Sequence, residues 1–157
     1  MATPFDLIMR TPFGAVGVAC PRDSVDRIGF LPPDTPLLAA RTPAATRAAH
    51  ALEAYLADPR YRFDLELTRQ GTAFQQRVWQ ALSAIPVGML RTYGQLSGEL
   101  GTAARALGQA CGANPHPIVV PCHRVVAAGG PGGFAHAREG YLMDAKLWLL
   151  RHEGAML

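Results

Sequence analysis

Asn114-Pro115-His116-Pro117-Ile118-Val119-Val120-Pro121-Cys122-His123-Arg124-Val125-Val126 sets a thiol beside an imidazole inside an apolar, proline-bracketed segment. Pro121 fixes the backbone approach to the thiol, and Ile118 to Val120 and Val125 to Val126 read as buried extended chain on either side. A cysteine held in this way is a candidate nucleophile. The competing reading is a structural cysteine beside a chance histidine, since free cysteine packs as a small hydrophobe. Neighbours on extended chain point to opposite faces, so adjacency of Cys122 and His123 does not imply that they touch.

Upstream, the signals are helical. Thr72 and Gln75 have capping-box spacing, Phe74, Val78, Leu82 and Ile85 form one stripe, and Pro86 with Gly88 closes the helix. Thr92 and Gln95 repeat the device, Leu96 and Leu100 face inward, and Gly101 suits a left-handed C-terminal position. Thr102 is the expected cap of a third helix, Ala103 to Cys111, which packs through Ala103, Ala106, Leu107 and Ala110 and leaves Arg105 and Gln109 on another face. Two short helices joined by a Gly-Thr turn have the outline of a helix-turn-helix, a motif that serves plain packing as well as DNA binding. The alanines let the third helix approach another surface closely. Downstream, Ala127 to Gly133 reads as a turn or a pocket wall. A last helix, about Tyr141 to His152, turns Leu142, Ala145 and Leu149 to one side and ends at Glu153-Gly154. A carboxylate at that end opposes the helix dipole, so Glu153 is expected to have another use unless it is simply solvated.

The first seventy residues read differently. Phe5 to Met9, Ala15 to Cys20, Val25 to Leu31 and the alternating Phe63 to Leu67 are strand-like runs. Between them Thr42-Pro43 opens a helix, Ala48, Leu52, Tyr55 and Leu56 share its face, and Asp58-Pro59 ends it. The expectation is a small α/β layer with a boundary near Gln70-Gly71.

Composition narrows the function classes without choosing among them. The 157 residues are 49% hydrophobic, enough for one domain or two small ones and too many for a disordered chain. A formal charge of +3 is compatible with a nucleic-acid partner but does not demand one. All basic side chains except Lys146 are arginine, which suits phosphate contact and stacking but is also what a GC-rich genome produces. Cys20, Cys111 and Cys122 are odd in number and show no paired spacing, so a reducing, cytoplasmic setting is expected. No run approaches the ~20 apolar residues of a membrane span, and no secretory leader pattern opens the chain. Adjacent Cys122 and His123, without CxxC or HxxxH spacing elsewhere, give no support for a metal site.

From about Gly71 onward the chain resembles the O6-alkylguanine-DNA alkyltransferases, also called methylated-DNA-protein-cysteine methyltransferases. Seven ordered blocks carry the resemblance: Thr72-Ala73-Phe74-Gln75-Gln76-Arg77-Val78-Trp79, Ile85-Pro86-Val87-Gly88, Thr92-Tyr93-Gly94, Arg105-Ala106-Leu107-Gly108, Asn114-Pro115, Pro121-Cys122-His123-Arg124-Val125-Val126 and Leu149-Leu150-Arg151-His152-Glu153-Gly154. It implies an α/β (α+β) chain. Residues 1–70 would form a small ribonuclease H-like N-terminal domain, and residues 71–157 a mainly helical, DNA-binding alkyltransferase domain with a helix-turn-helix.

The implied activity is repair of DNA by direct, irreversible transfer of the alkyl group from O6-alkylguanine to Cys122. A soft thiolate suits attack on a saturated carbon, and the thioether product resists hydrolysis, so each molecule acts once. By motif position, Glu153 orients His123, which acts through a water on Cys122, and Asn114 braces the turn holding the thiol. Arg105 enters the duplex where the flipped base leaves. Tyr93 stands near the rotated nucleotide or its phosphate, and Thr92 and Ala103 belong to the same DNA-binding surface, with the third helix in the minor groove. Cys111, Val125, Phe134 and Ala135 would line the substrate pocket, and the carbonyls of Cys122 and Val125 would read the guanine amino edge. The implied partner is double-stranded DNA containing O6-alkylguanine. No cofactor, membrane or obligate protein partner is implied, and a monomer is expected. One segment departs from the family pattern: Gly132-Gly133-Phe134-Ala135 runs into His136-Ala137-Arg138-Glu139-Gly140-Tyr141, longer and more polar than usual, which bears on pocket size and preferred lesion.

Two other classes compete. A non-transferring protein that recognises alkylated guanine would lack the acceptor thiol that Cys122 supplies. A cysteine hydrolase built on Cys-His would need an oxyanion donor pattern that the sequence does not display.

Overall fold

The computed structural model describes residues 4–132 and 140–156. The fold is mixed α/β, and the chain divides into two compact units, Met1–Arg69 and Gln70–Leu157.

In the first unit, β1 (Leu7–Thr11), β2 (Gly14–Ala19) and β3 (Arg27–Leu31) form an antiparallel meander in the order β1-β2-β3. Side chains alternate across β2, and the two faces carry different residues. Ala15 and Ala19 pack with Phe5, Ile8, Leu31 and Leu38. Gly17 and Gly29 pair directly across the β2/β3 ladder, and the Phe5 ring lies over both. A Cβ on Gly17 would stand 2.7 Å from that ring, so the close approach requires glycine there. Val16 and Val18 point to the opposite face, where α1 (Pro43–Ala57) packs on the sheet. Thr42 caps α1 by accepting a hydrogen bond from the Ala45 amide, and Ala45, Ala48, Leu52 and Tyr55 are buried along its inner side. Phe63 to Leu67, read from its alternation as a strand, is not one. It contributes only a parallel bridge between Leu67 and Val25, because no neighbouring strand offers it a ladder.

The second unit is built from α2 (Ala73–Ser83), α3 (Tyr93–Leu100), α4 (Ala104–Gly112) and α5 (Tyr141–His152), with a two-residue parallel ladder between β4 (Arg91–Thr92) and β5 (Val125–Val126). Both capping boxes form: Thr72 with Gln75 starts α2, and Thr92 with Gln95 starts α3. Gly101 ends α3 at φ 64°, a left-handed cap that glycine adopts without penalty. Arg77 of α2 donates to the carbonyl of Leu100, tying the end of α3 to α2. The indole N–H of Trp79 donates to the Ala110 carbonyl at 2.9 Å and links α2 to α4.

Two expectations fail here. Thr102 does not cap α4; the cap position is Ala103, with no side-chain hydrogen bond, and Ala103 is exposed rather than packed. The segment before the thiol is not extended either. Residues 117–119 are turn, and Cys122–Arg124 is a single 3-10 turn. Backbone polar groups in this proline-rich stretch are satisfied by local bonds rather than by a neighbouring strand. No helix among the described residues is long and apolar enough to cross a membrane.

Candidate active site

Asn114 organises the turn that carries the thiol. Its Oδ1 accepts from the His116 amide at 3.0 Å, its Nδ2 donates to the Val120 carbonyl at 2.8 Å, and its own amide donates to the Cys111 carbonyl at the end of α4. The Cys122 amide donates to the same Val120 carbonyl at 2.8 Å, so the acceptor residue is held from one oxygen that Asn114 also holds. Between them Ile118 sits at φ 75°, the one non-glycine residue at positive φ among those described. A β-branched side chain avoids that region, at a cost of about 1–3 kcal/mol, and the bonds around it impose it.

Cys122 is 7% exposed and His123 is fully buried. Burial pushes the Cys122 thiol up, while a hydrogen bond from Asn114, the charge of Lys146 and the residue's own backbone amide pull it down. Burial likewise pushes His123 down, against the raising effect of Glu153. At rest the pair is a thiol and a neutral imidazole. His123 Nε2 meets Glu153 Oε2 at 2.9 Å, and its Nδ1 hydrogen-bonds to no described protein atom. Glu153 is the C-terminal cap of α5. Its carboxylate also accepts from Arg124, Nε to Oε1 at 2.8 Å and Nη2 to Oε2 at 2.9 Å. Gly88, at φ 83°, lets the chain pass the Glu153 carbonyl, which a Cβ there would meet at 3.3 Å.

Two residues in this site were not singled out from sequence. Lys146, the only lysine in the chain, is fully buried on α5 and donates to the Val125 carbonyl at 2.8 Å. Burial brings its ammonium down to about 8, opposed by the nearby Cys122 and Cys111. Its signal was readable: 146 falls on the apolar stripe of α5 between Leu142 and Leu150, where a solvated lysine does not belong. Arg124 was the other, and its pairing partner lies 29 residues away.

The remaining sequence-derived residues fall into three groups. Cys111, buried, and Tyr93, partly buried, are each pushed up to about 12: Cys111 first by burial and then by Cys122, Tyr93 first by burial, then by Cys111 and then by Cys122. Val125 is buried in β5. Its carbonyl and that of Cys122 already accept one bond each, from Lys146 and from the Val125 amide, leaving each a second lone pair. Ala103 and Arg105 are exposed at the start of α4, and the Thr92 hydroxyl caps α3. Phe134, Ala135 and the segment 136–139 lie outside the described residues.

Residues 73–155, more than half of the chain, match the family 6-O-methylguanine DNA methyltransferase, DNA binding domain. The chain belongs to this family. A methylated-DNA–protein-cysteine methyltransferase of Salmonella typhimurium is 53% identical over 96 residues, 59% of this chain and 53% of that protein. The chain thus spans about half the length of the first curated relatives it matches. Among solved structures, the O6-methylguanine methyltransferase of Mycobacterium tuberculosis is 35% identical, with a TM-score of 0.78, over 94% of this chain and 91% of that one. The M. tuberculosis OGT in complex with DNA matches with a TM-score of 0.77 at 36% identity, over the same shares of the two chains.

Proposed function

We propose that this family member repairs DNA by moving the alkyl group of O6-alkylguanine irreversibly onto Cys122. The observation that carries the reading is the buried Cys122 thiol, bonded by Asn114, near the Lys146 ammonium, and followed by a His123–Glu153 pair at 2.9 Å. The family match and the DNA-bound neighbour support DNA as the partner.

The step balances without a cofactor. The thiol proton passes, through a water, to the Nδ1 lone pair of His123, whose Nε2–H is fixed by Glu153. The thiolate sulfur attacks the alkyl carbon, the carbon–O6 bond breaks with its electrons going to guanine, and the base takes up the proton. Burial serves this chemistry, because a desolvated thiolate is a stronger nucleophile than a hydrated one. The second lone pairs of the Cys122 and Val125 carbonyls accept the guanine amino group. Cys111 and Val125 serve as pocket wall.

Because the thiol is buried, the base must leave the duplex to reach it. Arg105, exposed near the N-terminus of α4, fills the gap, and the uncharged surface of Ala103 allows α4 to enter the minor groove. Tyr93 and Thr92 lie where the rotated nucleotide and its phosphate pass. Residues 1–70 are proposed as a ribonuclease H-like domain, a reading supported by their antiparallel meander and single helix, and residues 71–157 as the alkyltransferase domain. The protein acts as a cytoplasmic monomer.

The test is intact-protein mass spectrometry after mixing with duplex DNA containing O6-methylguanine, followed by peptide mapping. One methyl adduct on Cys122, and none in Cys122→Ala that still binds the duplex, is the expected result. Tight binding by the native protein without an adduct would favour a protein that recognises the lesion and does not transfer.

A further inference from the structure

We propose that Arg124 is a positioning residue for the acceptor reaction, gripping both oxygens of Glu153 and so fixing the tautomer and orientation of His123. The inference rests on the alkyl-transfer reading and deepens it. The guanidinium joins three parts of the unit. It extends from the 3-10 turn, bonds both carboxylate oxygens at the cap of α5 at 2.8 and 2.9 Å, and donates through Nη1 to the carbonyl of Ile85 just after α2. Its side chain is 12% exposed, so the pair is largely withdrawn from water.

Glu153 needs a cation. It caps the C-terminal end of a helix, where the dipole disfavours negative charge, and its side chain is fully buried. His123 does not provide the charge, because burial keeps its imidazole neutral. Lys146 directs its ammonium to the Val125 carbonyl. Arginine is permanently charged, and its planar fork matches both carboxylate oxygens at once. Held ionised, Glu153 can only accept hydrogen bonds. His123 must then present N–H at Nε2, which leaves the lone pair on Nδ1, the buried nitrogen without a described protein partner.

Arg124 also acts on the basicity of that lone pair. The charged groups acting on His123 are Arg124 from its own turn, and Lys146 and Glu153 from α5 and its cap; the segment after α2 contributes the Ile85 carbonyl through Arg124. The charges of Arg124 and Lys146 both lower the imidazole, against the raising effect of Glu153. Losing Arg124 should therefore let His123 protonate at a higher pH, and the acid limb of Cys122 reactivity should move to higher pH with it.

The experiment compares the full-length protein with Arg124→Lys and Arg124→Met. Cys122 alkylation by iodoacetamide is followed by peptide mass spectrometry from pH 5 to 9, and methyl transfer from O6-methylguanine duplex is measured in parallel. For Arg124→Met the rate at pH 6, divided by its own rate at pH 9, should fall at least about threefold below the native ratio, corresponding to a limb displaced by roughly half a pH unit. Arg124→Lys keeps a charge and loses the fork, so it should fall between the two. In a Glu153→Gln background, Arg124→Lys should add no further displacement. An unmoved acid limb with only a lowered urea midpoint would overturn the proposal and leave Arg124 a purely structural residue; if Arg124→Met does not fold, the lysine variant decides alone. Iodoacetamide needs no DNA. A native protein whose Cys122 shows the expected limb with iodoacetamide yet takes no methyl from the duplex would sink the transfer reading and leave the positioning role intact.

Discussion

The two units differ sharply in what they bury. Among the described residues of the first unit, Thr11 is the single polar side chain in the buried class, and the rest of the interior is aliphatic, aromatic or Cys20. The second unit buries Ser97, His116, His123, Lys146 and Glu153 as well as two thiols. Burying an ionisable group is costly unless it is paired, and each such group disfavours the native state unless a partner offsets it. Packing alone needs none of them. The first unit holds together with small residues fitted under Phe5 and an alanine-rich helix, whereas the second maintains a network whose pKa values are displaced from their ordinary ranges. A cluster of that kind, in a unit that could have been filled with leucine, marks chemistry rather than stability.

The sharpest way to break this contrast is through Glu153. Glu153→Gln keeps the shape but leaves Arg124 without its counter-charge and His123 without its anionic partner. Single-turnover methyl transfer should slow by roughly 10²-fold, the scale of a positioned acid–base group. A slowing of less than about threefold would mean that the His123–Glu153 pair is structural and the thiol needs no base. Arg105 tests the other surface of the same unit. Arg105→Ala should slow transfer from duplex about tenfold, because the cost of holding a base out of the stack is a few kcal/mol. Reaction with the free base O6-benzylguanine should be unchanged, and equal losses on both substrates would end the base-flipping role.

Lys146→Met is expected to act more gently and in a pH-dependent manner. The ammonium lowers the Cys122 thiol, so its loss should slow transfer a few-fold at pH 7. Stability should respond with a definite sign. The folded lysine titrates near 8, below its ordinary 10.5, so between those values the unfolded chain binds the extra proton and native stability rises with pH. The raised Cys111, Cys122 and Tyr93 groups act in the opposite direction above their ordinary values. Loss of Lys146 raises Cys111 and Cys122 further, so the difference between the two urea-denaturation curves reports the lysine together with its coupling to the two thiols, and both contributions lower the variant's advantage as pH rises. The advantage of Lys146→Met over native should be greatest below pH 8 and should disappear by about pH 10.5.

How far the sequence could be read follows from the range of the interactions involved. α1, α2 and α3 were legible because their caps are local: Thr42-Pro43, Thr72 with Gln75 and Thr92 with Gln95 each announce a start within four residues. Phe63 to Leu67 misled because alternation describes a side-chain pattern, and a strand also needs a partner edge. Ile118 misled more deeply, since its left-handed backbone is imposed by the Asn114, His116 and Val120 bonds and contradicts the preference of isoleucine itself. Cys122 and His123 were visible as neighbours. Lys146 and Arg124 acquire their meaning from partners 21 and 29 residues away, which no local pattern reports.

The smallest effect on transfer belongs to the first unit, and it is the strictest test of the contrast. Leu52 is 2% exposed on the inner face of α1. Truncating it removes apolar contacts and leaves a cavity, so Leu52→Ala should cost about 2–5 kcal/mol of stability by urea denaturation. It removes no charge and alters no hydrogen bond of the Asn114, Cys122, His123 or Glu153 network. The rate constant for methyl transfer, expressed per folded molecule, should therefore equal that of the native protein. If the first unit is a purely packed structure, its destabilisation lowers only the number of competent molecules. A lowered rate constant in the molecules that remain folded would show that the meander and α1 act on the thiol as well as on their own core, and the division between a packed unit and a chemical unit would have to be abandoned.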